Sequence, residues 1–345
     1  MVSSMSSNAI LAKARAMYGK RLTESDYTQL MECRTVSEVA SYLKGRTRYG
    51  EIFGDINEND IHRGQLEPVL RQSIYTDIFA LSRYAEDKSL AFVDFMAAEL
   101  EIELIVRCLT HINMGRPEEF GLKLPLSMDK YTKTSFAKFA AVRSYDDIFD
   151  AVVDSKYIAV LKKNRPADGE RINIALIEAQ LYNQNYGTVI SAINSAKKVR
   201  DRDELRDLFS ALLDFRNVSR IIRLKTYYGM SGDKIRPLLI PYGRLSTRTL
   251  GEICDAGDVT EAVELINSTY LGRLMAKLEN DDKDQIANTM INIYCKHHLR
   301  LSPNPTIVMI SYVYLKDIEL KNIIYIIEAT RYGLSAEEKE KLLIK

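Results

Sequence analysis

Three times along this 345-residue chain the same order of residue types recurs at nearly constant spacing, and that repetition constrains the fold more than any single motif does. Leu22, Tyr131 and Leu245 open the ladder, followed five residues later by Tyr27, Phe136 and Leu250. Leu30, Phe139 and Ile253 come next, then Val36, Tyr145 and Val259, so that all four rungs shift by 109 and then by 114 residues. Tyr49, Tyr157 and Tyr270, with Thr47, Ser155 and Ser268 two residues before them, shift by 108 and 113. Tyr75, Tyr186 and Tyr294 shift by 111 and 108, and Gly115, Gly229 and Gly333 by 114 and 104. Solenoid repeats are shorter, roughly 20 to 50 residues. Each unit here is large enough to be a small bundle, and the chain divides as 1–115, 116–229 and 230–345. The ladder alone fits an open row and a closed pseudo-threefold ring equally.

The local pattern is helical. From Leu205 to Tyr228 the apolar residues Leu205, Leu208, Phe209, Leu212, Phe215, Val218, Ile221, Ile222 and Leu224 follow three- and four-residue steps, the signature of one buried helical face. Gly229 then suits a left-handed C-cap. Counterparts run from Phe92 to Met114 and from Tyr312 to Tyr332, ending at Gly115 and Gly333, with apolar residues on more than one side. Thr35 with Glu38 has capping-box spacing. The segments beginning Thr260-Glu and Ser144-Tyr repeat that flavour. Strand signals are scarce, because the one Asp-Gly pair, Asp168-Gly169, stands in the charged loop Lys162–Arg171. The expectation is an all-α fold with connections near 54–62, 162–170, 278–284 and 301–306. After Gly229 the chain reads Met-Ser-Gly-Asp-Lys-Ile-Arg-Pro-Leu-Leu, and after Gly333 Leu-Ser-Ala-Glu-Glu-Lys-Glu-Lys-Leu-Leu, a further internal match.

Composition sets the outer limits. Eight prolines, 46% hydrophobic and 28% charged residues describe a well-packed soluble chain. Forty-eight basic against forty-seven acidic residues give a net charge of +1, so no global field draws it to nucleic acid or to an anionic membrane. Cys33, Cys108, Cys254 and Cys295 are far apart, which implies a reducing, cytoplasmic setting. No signal-peptide core opens the chain. The apolar stretch Ile307–Leu315 is closed by Lys316 and Asp317, well short of the roughly 20 residues that span a bilayer.

No phosphate loop, dinucleotide fingerprint, zinc-protease motif or nucleophile elbow occurs. Cys295-Lys-His297-His298 is half of a zinc site without a second half, and reads instead as a basic helix end. Glu99, Glu101 and Glu103 alternate around a helix and cannot converge by themselves, so they are expected as solvated or paired surface carboxylates. Lys197–Arg202 interleaves with acids and lacks an aromatic platform for nucleic acid. Arg216, Arg220 and Arg223, with Lys225 beyond, place cations along one stripe of the second unit's last helix. Such forked donors can meet carboxylates on a partner, or pair internally with Asp214 or with acids of neighbouring units. The recurring Tyr49, Tyr157 and Tyr270 are expected to bury a ring while the hydroxyl reaches a polar partner.

The strings Val36–Gly50, Asp214–Ser231 and Tyr314–Ile324 resemble the C subunit of the A/V-type rotary ATPases, known as the d subunit in the eukaryotic V-type enzymes. Matching positions are Asn217, Arg220, Lys225 and Gly229 in the second unit, and Glu319, Asn322 and Gly333 in the third; Tyr325 departs, standing where the second unit has Arg220. The resemblance spans nearly the whole chain. It implies a funnel of three helical bundles on the cytoplasmic face of the membrane, without chemistry or cofactor of its own. Its implied partners are the central-shaft subunits of D and F type and the c- or K-type rotor ring, between which it passes torque for ATP-coupled H⁺ or Na⁺ transport. The candidate partner interface is then Arg216, Arg220, Arg223 and Lys225. Two other readings stand beside it: a helical adaptor unrelated to ATPases, and an enzyme whose site would be a deep pocket with two titratable groups of shifted pKa.

Overall fold

The computed structural model describes residues 2–53, 63–84, 87–121, 135–153, 155–167, 169–195, 199–276 and 285–344. Among these the only regular elements are helices, as expected of an all-α chain. The expected connections at 54–62 and 278–284, and the rung Tyr131, lie outside the described residues. The first third holds α1 (Val2–Gly19), α2 (Glu24–Glu32), α3 (Val36–Arg46), α4 (Gly50–Phe53), α5 (Arg63–Ser82) and α6 (Asp87–Asn113). The second holds α7 (Pro117–Gly121), α8 (Phe136–Ala141), α9 (Ile148–Ala151), α10 (Ser155–Lys163), α11 (Ile174–Asn194) and α12 (Val199–Tyr228). In the last are α13 (Gly232–Ile235), α14 (Thr247–Asp255), α15 (Val259–Asn267), α16 (Gly272–Met275), α17 (Ile286–Leu301), α18 (Pro305–Arg331) and α19 (Ala336–Lys341).

The helix ends repeat as the ladder does. Thr35 Oγ1 accepts the Glu38 N–H at 3.1 Å, while the Glu38 carboxylate reaches back to the N–H of Arg34 at 2.7 Å. Asp147 does the same for Arg143 at 2.9 Å, with Ser144 accepting its own N–H. The third copy starts at Asp258, two residues before the Thr260 of the sequence pattern. Asp258 accepts the Glu261 N–H at 2.9 Å, and Glu261 reaches the N–H of Gly257 at 2.6 Å. Each satisfies donors that a helix start leaves bare. At the other end Gly115, Gly229 and Gly333 have φ of 69°, 54° and 70°, a region that a side chain disfavours. Around Gly115 and Gly333 the turn closes with paired bonds, Arg116 N–H to His111 O and Gly115 N–H to Ile112 O, then Leu334 N–H to Ala329 O and Gly333 N–H to Thr330 O.

Beyond each of the last two glycines the chain folds back on the helix it has just left. Asn217 exchanges two hydrogen bonds with the backbone of Ile240, at 2.8 and 3.0 Å, and Asn322 does so with Ile344, at 3.0 and 2.8 Å. Both asparagines are buried, so each saturates a backbone segment that water cannot reach.

Long helices pair in a cyclic order. Within each third the last two pack together, α5 with α6, α11 with α12 and α17 with α18. Between thirds, α6 packs on α11, α12 on α17, and α18 on α5. α18 also meets α1, α2, α3, α6 and α12, and most of its side chains are buried, including Ile307, Ile310, Leu320 and Ile327. No described helix is long and apolar enough to cross a membrane. Apolar residues form two cores. The larger joins all three thirds, with α11 and α12 of the second packed alongside the helices of the first and last, and the smaller gathers Ile102, Ile105 and Leu109 of α6 against Phe136, Phe139, Tyr157 and Ile177.

Candidate functional site

The cyclic packing brings one polar side chain from each of three long helices to a single point. Glu99 of α6 and Arg216 of α12 meet with Arg216 Nη2 at 3.1 Å from both carboxylate oxygens, aligned for a hydrogen bond to Oε2. Tyr314 of α18 donates to Glu99 Oε2 at 2.8 Å, and its hydroxyl lies 3.4 Å from that of Tyr186. The guanidinium sits 4.9 Å from the Tyr182 ring centre and within 5.9 Å of the Tyr186 and Tyr314 rings, a cationic group caged by aromatic faces. Burial opposes the Arg216 charge, but Glu99 and then the tyrosines outweigh it and hold Arg216 above its ordinary pKa. Glu99 is therefore a paired interior carboxylate and not a surface one. One turn along, Glu103 meets Arg71 at 2.8 Å.

The cations of the stripe Arg216, Arg220, Arg223 and Lys225 stand in different surroundings. Arg216 is committed to Glu99. Arg220 donates to the Leu238 carbonyl at 2.5 Å and lies 3.3 Å from Glu178. Lys225 donates to the carbonyl of Ala256, the C-cap of α14, at 2.5 Å. Arg223 is exposed, on the same outer end of α12 as Tyr227 and Tyr228. Arg216 pairs with an acid of the neighbouring third, as the sequence allowed, whereas Arg220 meets Glu178 of its own third and neither meets Asp214.

Two buried carboxylates each clamp a ladder leucine and tyrosine to a long helix, Asp214 to α12 before them and Glu319 to α18 near the other end of the chain. Asp214 of α12 accepts the N–H groups of Arg244 and Leu245 at 2.8 and 3.0 Å and the Tyr270 hydroxyl at 2.8 Å. Glu319 of α18 accepts the Leu22 N–H at 2.8 Å and the Tyr49 hydroxyl at 2.6 Å. Leu22 and Leu245, and Tyr49 and Tyr270, are rungs of the ladder, so the same donors find an acid in each case. Burial raises the Asp214 pKa, against the pull of the hydrogen bonds it accepts. The ring of Tyr49 is buried as expected, while Tyr270 keeps 38% of its surface exposed. Beside Glu319, Lys316 donates to the Tyr49 hydroxyl at 2.5 Å and to Glu319 at 3.2 Å. A further strut, absent from the sequence reading, joins Arg48 to both Asp77 oxygens at 2.8 and 2.6 Å, and Tyr312 of α18 donates to the same Asp77 at 2.5 Å.

Burial, aided by Arg48, outweighs Glu319 and pushes the Lys316 ammonium down to about 8. An unfolded lysine near 10.5 binds more protons between those values, so this group makes stability rise with pH from about 8 upward, and its cost is fully present below 8. Lys316→Met is expected to remove that rise with pH, while stranding the buried Glu319 carboxylate with which Lys316 pairs. Denaturant titrations of parent and variant side by side between about pH 8 and 9.5, where cysteine and tyrosine ionisation is common to both and cancels in the difference, check it; an unchanged slope contradicts it.

Among the described residues no group of acids, histidines and cysteines has the geometry of a metal site. His297 and His298 follow each other around α17, and Cys295 is buried. What the side chains build is a helical frame cross-braced by buried charges and tyrosine hydroxyls, the construction of a structural component. The profile of the family described as ATP synthase (C/AC39) subunit matches residues 10–342. The C subunit of the A-type ATP synthase from Methanosphaera stadtmanae is 23% identical over 344 residues, covering 96% of this chain and 86% of the relative. The protein of the same name from Pyrococcus furiosus is 22% identical over 320 residues, covering 90% and 83%. The chain belongs to the ATP synthase (C/AC39) subunit family. That family is one of structural and not catalytic subunits, and the enzymatic alternative falls with it.

Proposed function

We propose that this protein is the central-stalk subunit of a rotary ATP synthase, seated on the cytoplasmic face of the membrane between shaft subunits of D and F type and a c- or K-type rotor ring. On this reading the thirds are three related units closed into a funnel about a pseudo-threefold axis. The supporting observation is the cyclic order of helix contacts, α6 on α11, α12 on α17 and α18 on α5. A closed frame shares a twisting load among all its seams, whereas an open row would bend at its weakest joint. Glu99, Arg216 and Tyr314 tie the three long helices where the axis would run. Exposed Met114, Tyr228 and Tyr332 each precede a C-terminal glycine of a long helix, and supply three apolar contacts in equivalent positions for a partner. Of the stripe, Arg223 is the arginine exposed for that interface.

The test is affinity purification of the tagged full chain from native membranes. Shaft and ring subunits are expected to co-purify, and Arg223→Glu combined with Tyr228→Ser to weaken that association without lowering Tm. A protein found soluble and alone in native extracts overturns the reading.

A further inference from the structure

Where the first and last thirds meet, the molecule leaves a cavity of about 590 Å³ between residues 17–27 and the helices α17 and α18. Its lining is mixed. Met17, Leu22, Leu315, Ile318 and Ile344 supply apolar surface. Asn292, Lys296 and Arg300, four residues apart and therefore on one stripe of α17, supply polar groups, with Arg21 approaching from the first third.

The charges in this cavity do not balance. Arg48 and Lys316 are already matched by Asp77 and Glu319. Among the described residues no carboxylate lies within ion-pair distance of Lys296, which is half-buried, or of Arg21 and Arg300, which are exposed. Glu24 is the one other acid on the lining, on the exposed first turn of α2. Arg21 is steered by its own surroundings, stacked 4.3 Å over the Tyr18 ring and donating to the Tyr18 carbonyl at 3.3 Å. Burial, then the Arg21 and Arg300 charges, lower the Lys296 pKa, as like charges converging without a counter-ion must. A half-buried lysine and two exposed arginines thus share the lining of one recess large enough for a small ligand.

We infer that this cavity is a binding site for a phosphate-bearing anion, held by Lys296, Arg300 and Arg21 with the Asn292 amide as a neutral donor, while the apolar surface takes any carbon portion of the ligand. Arginine forks and a lysine ammonium are the donors that phosphate oxygens favour. The inference does not depend on the stalk reading, since it rests only on the cavity and its charge. The site bridges elements nearly 280 residues apart in sequence, from Arg21 to Arg300, so an occupant fastens the seam between the first and last thirds. Binding to the folded form alone also raises Tm.

The ligand chemistry could come from a free polyphosphate or from a lipid headgroup, and two arms separate them. In the first, pyrophosphate is titrated into the full-length protein by calorimetry and its effect on Tm followed. In the second, the protein is sedimented with vesicles of phosphatidylcholine carrying phosphatidic acid. Binding in either arm is expected to fall at least tenfold in the double variant Lys296→Ala with Arg300→Ala, and only slightly in Lys156→Ala, a lysine beside a different recess. Pyrophosphate binding identifies a soluble ligand, and vesicle binding without it a headgroup. Relief of repulsion should leave the unliganded Tm of the double variant equal to or above that of the parent. The proposal is overturned if neither probe binds at millimolar concentration, or if the double variant binds as the parent does.

Discussion

Replacing Arg216 by Met is expected to lower stability by about 3–5 kcal/mol, because it leaves Glu99 charged and enclosed with only tyrosine hydroxyls to face. Glu99→Met should cost a similar amount by stranding the guanidinium between three aromatic rings. The double variant Glu99→Met with Arg216→Met tells the two contributions apart. It should recover much of the loss, since neither charge is then buried alone. Urea titration of the four proteins at one pH completes the cycle. Losses below about 1 kcal/mol in both single variants would show that water reaches the pair and screens it. Charge reversal at Arg216 sets two carboxylates against each other, so its first effect is on folding. The stripe read as a surface feature would have placed that effect in assembly.

Asp214→Ala should be nearly as severe, about 3–5 kcal/mol, by a different route. Three donors, the N–H groups of Arg244 and Leu245 and the Tyr270 hydroxyl, lose their common acceptor, and each orphaned donor costs about 1–3 kcal/mol. Tyr270→Phe removes one of them and should cost about 1 kcal/mol. A graded loss across the two variants in thermal melts supports the clamp, whereas equal losses would place the weight on the tyrosine alone. The approach of chain to acid is close: a Cβ added at Gly243 would stand 2.0 Å from Asp214 Oδ1. The glycine is needed there for room.

How far the sequence disclosed this fold depended on whether a helix had a wet side. α12 alternates apolar and charged residues, and its periodicity placed a helix over Leu205–Tyr228 within the observed Val199–Tyr228. The start of α18 was missed by seven residues, because Ile307–Leu315 is apolar on every face and a surrounded helix has no period to read. Its true signal was local: Asn304 accepts the N–H groups of Thr306 and Ile307, with Pro305 at the first helical position. For the polar frame, the ladder supplied the donors but not the acceptors. Leu22, Tyr49, Leu245 and Tyr270 were visible as rungs. Glu319 and Asp214 differ in type and lie 14 and 15 residues before their glycines, so aligning by identity alone kept them apart. Helical spacing also could not say which of Arg216, Arg220 and Arg223 faces inward, since that depends on where the neighbouring helices run.

The clamp at Glu319 has a consequence for how the protein is made. Leu22 and Tyr49 wait for an acceptor 297 and 270 residues further on, and Lys339 donates to the Met31 carbonyl across 308 residues. At about 5–20 residues per second, a ribosome needs on the order of 15–60 s to travel from Leu22 to Glu319. Throughout that interval the nascent first third lacks the helix that covers its apolar side and binds its bare donors. The early chain is thus an unfinished surface, exposed to chaperones and to other copies of itself, until the last long helix leaves the exit tunnel.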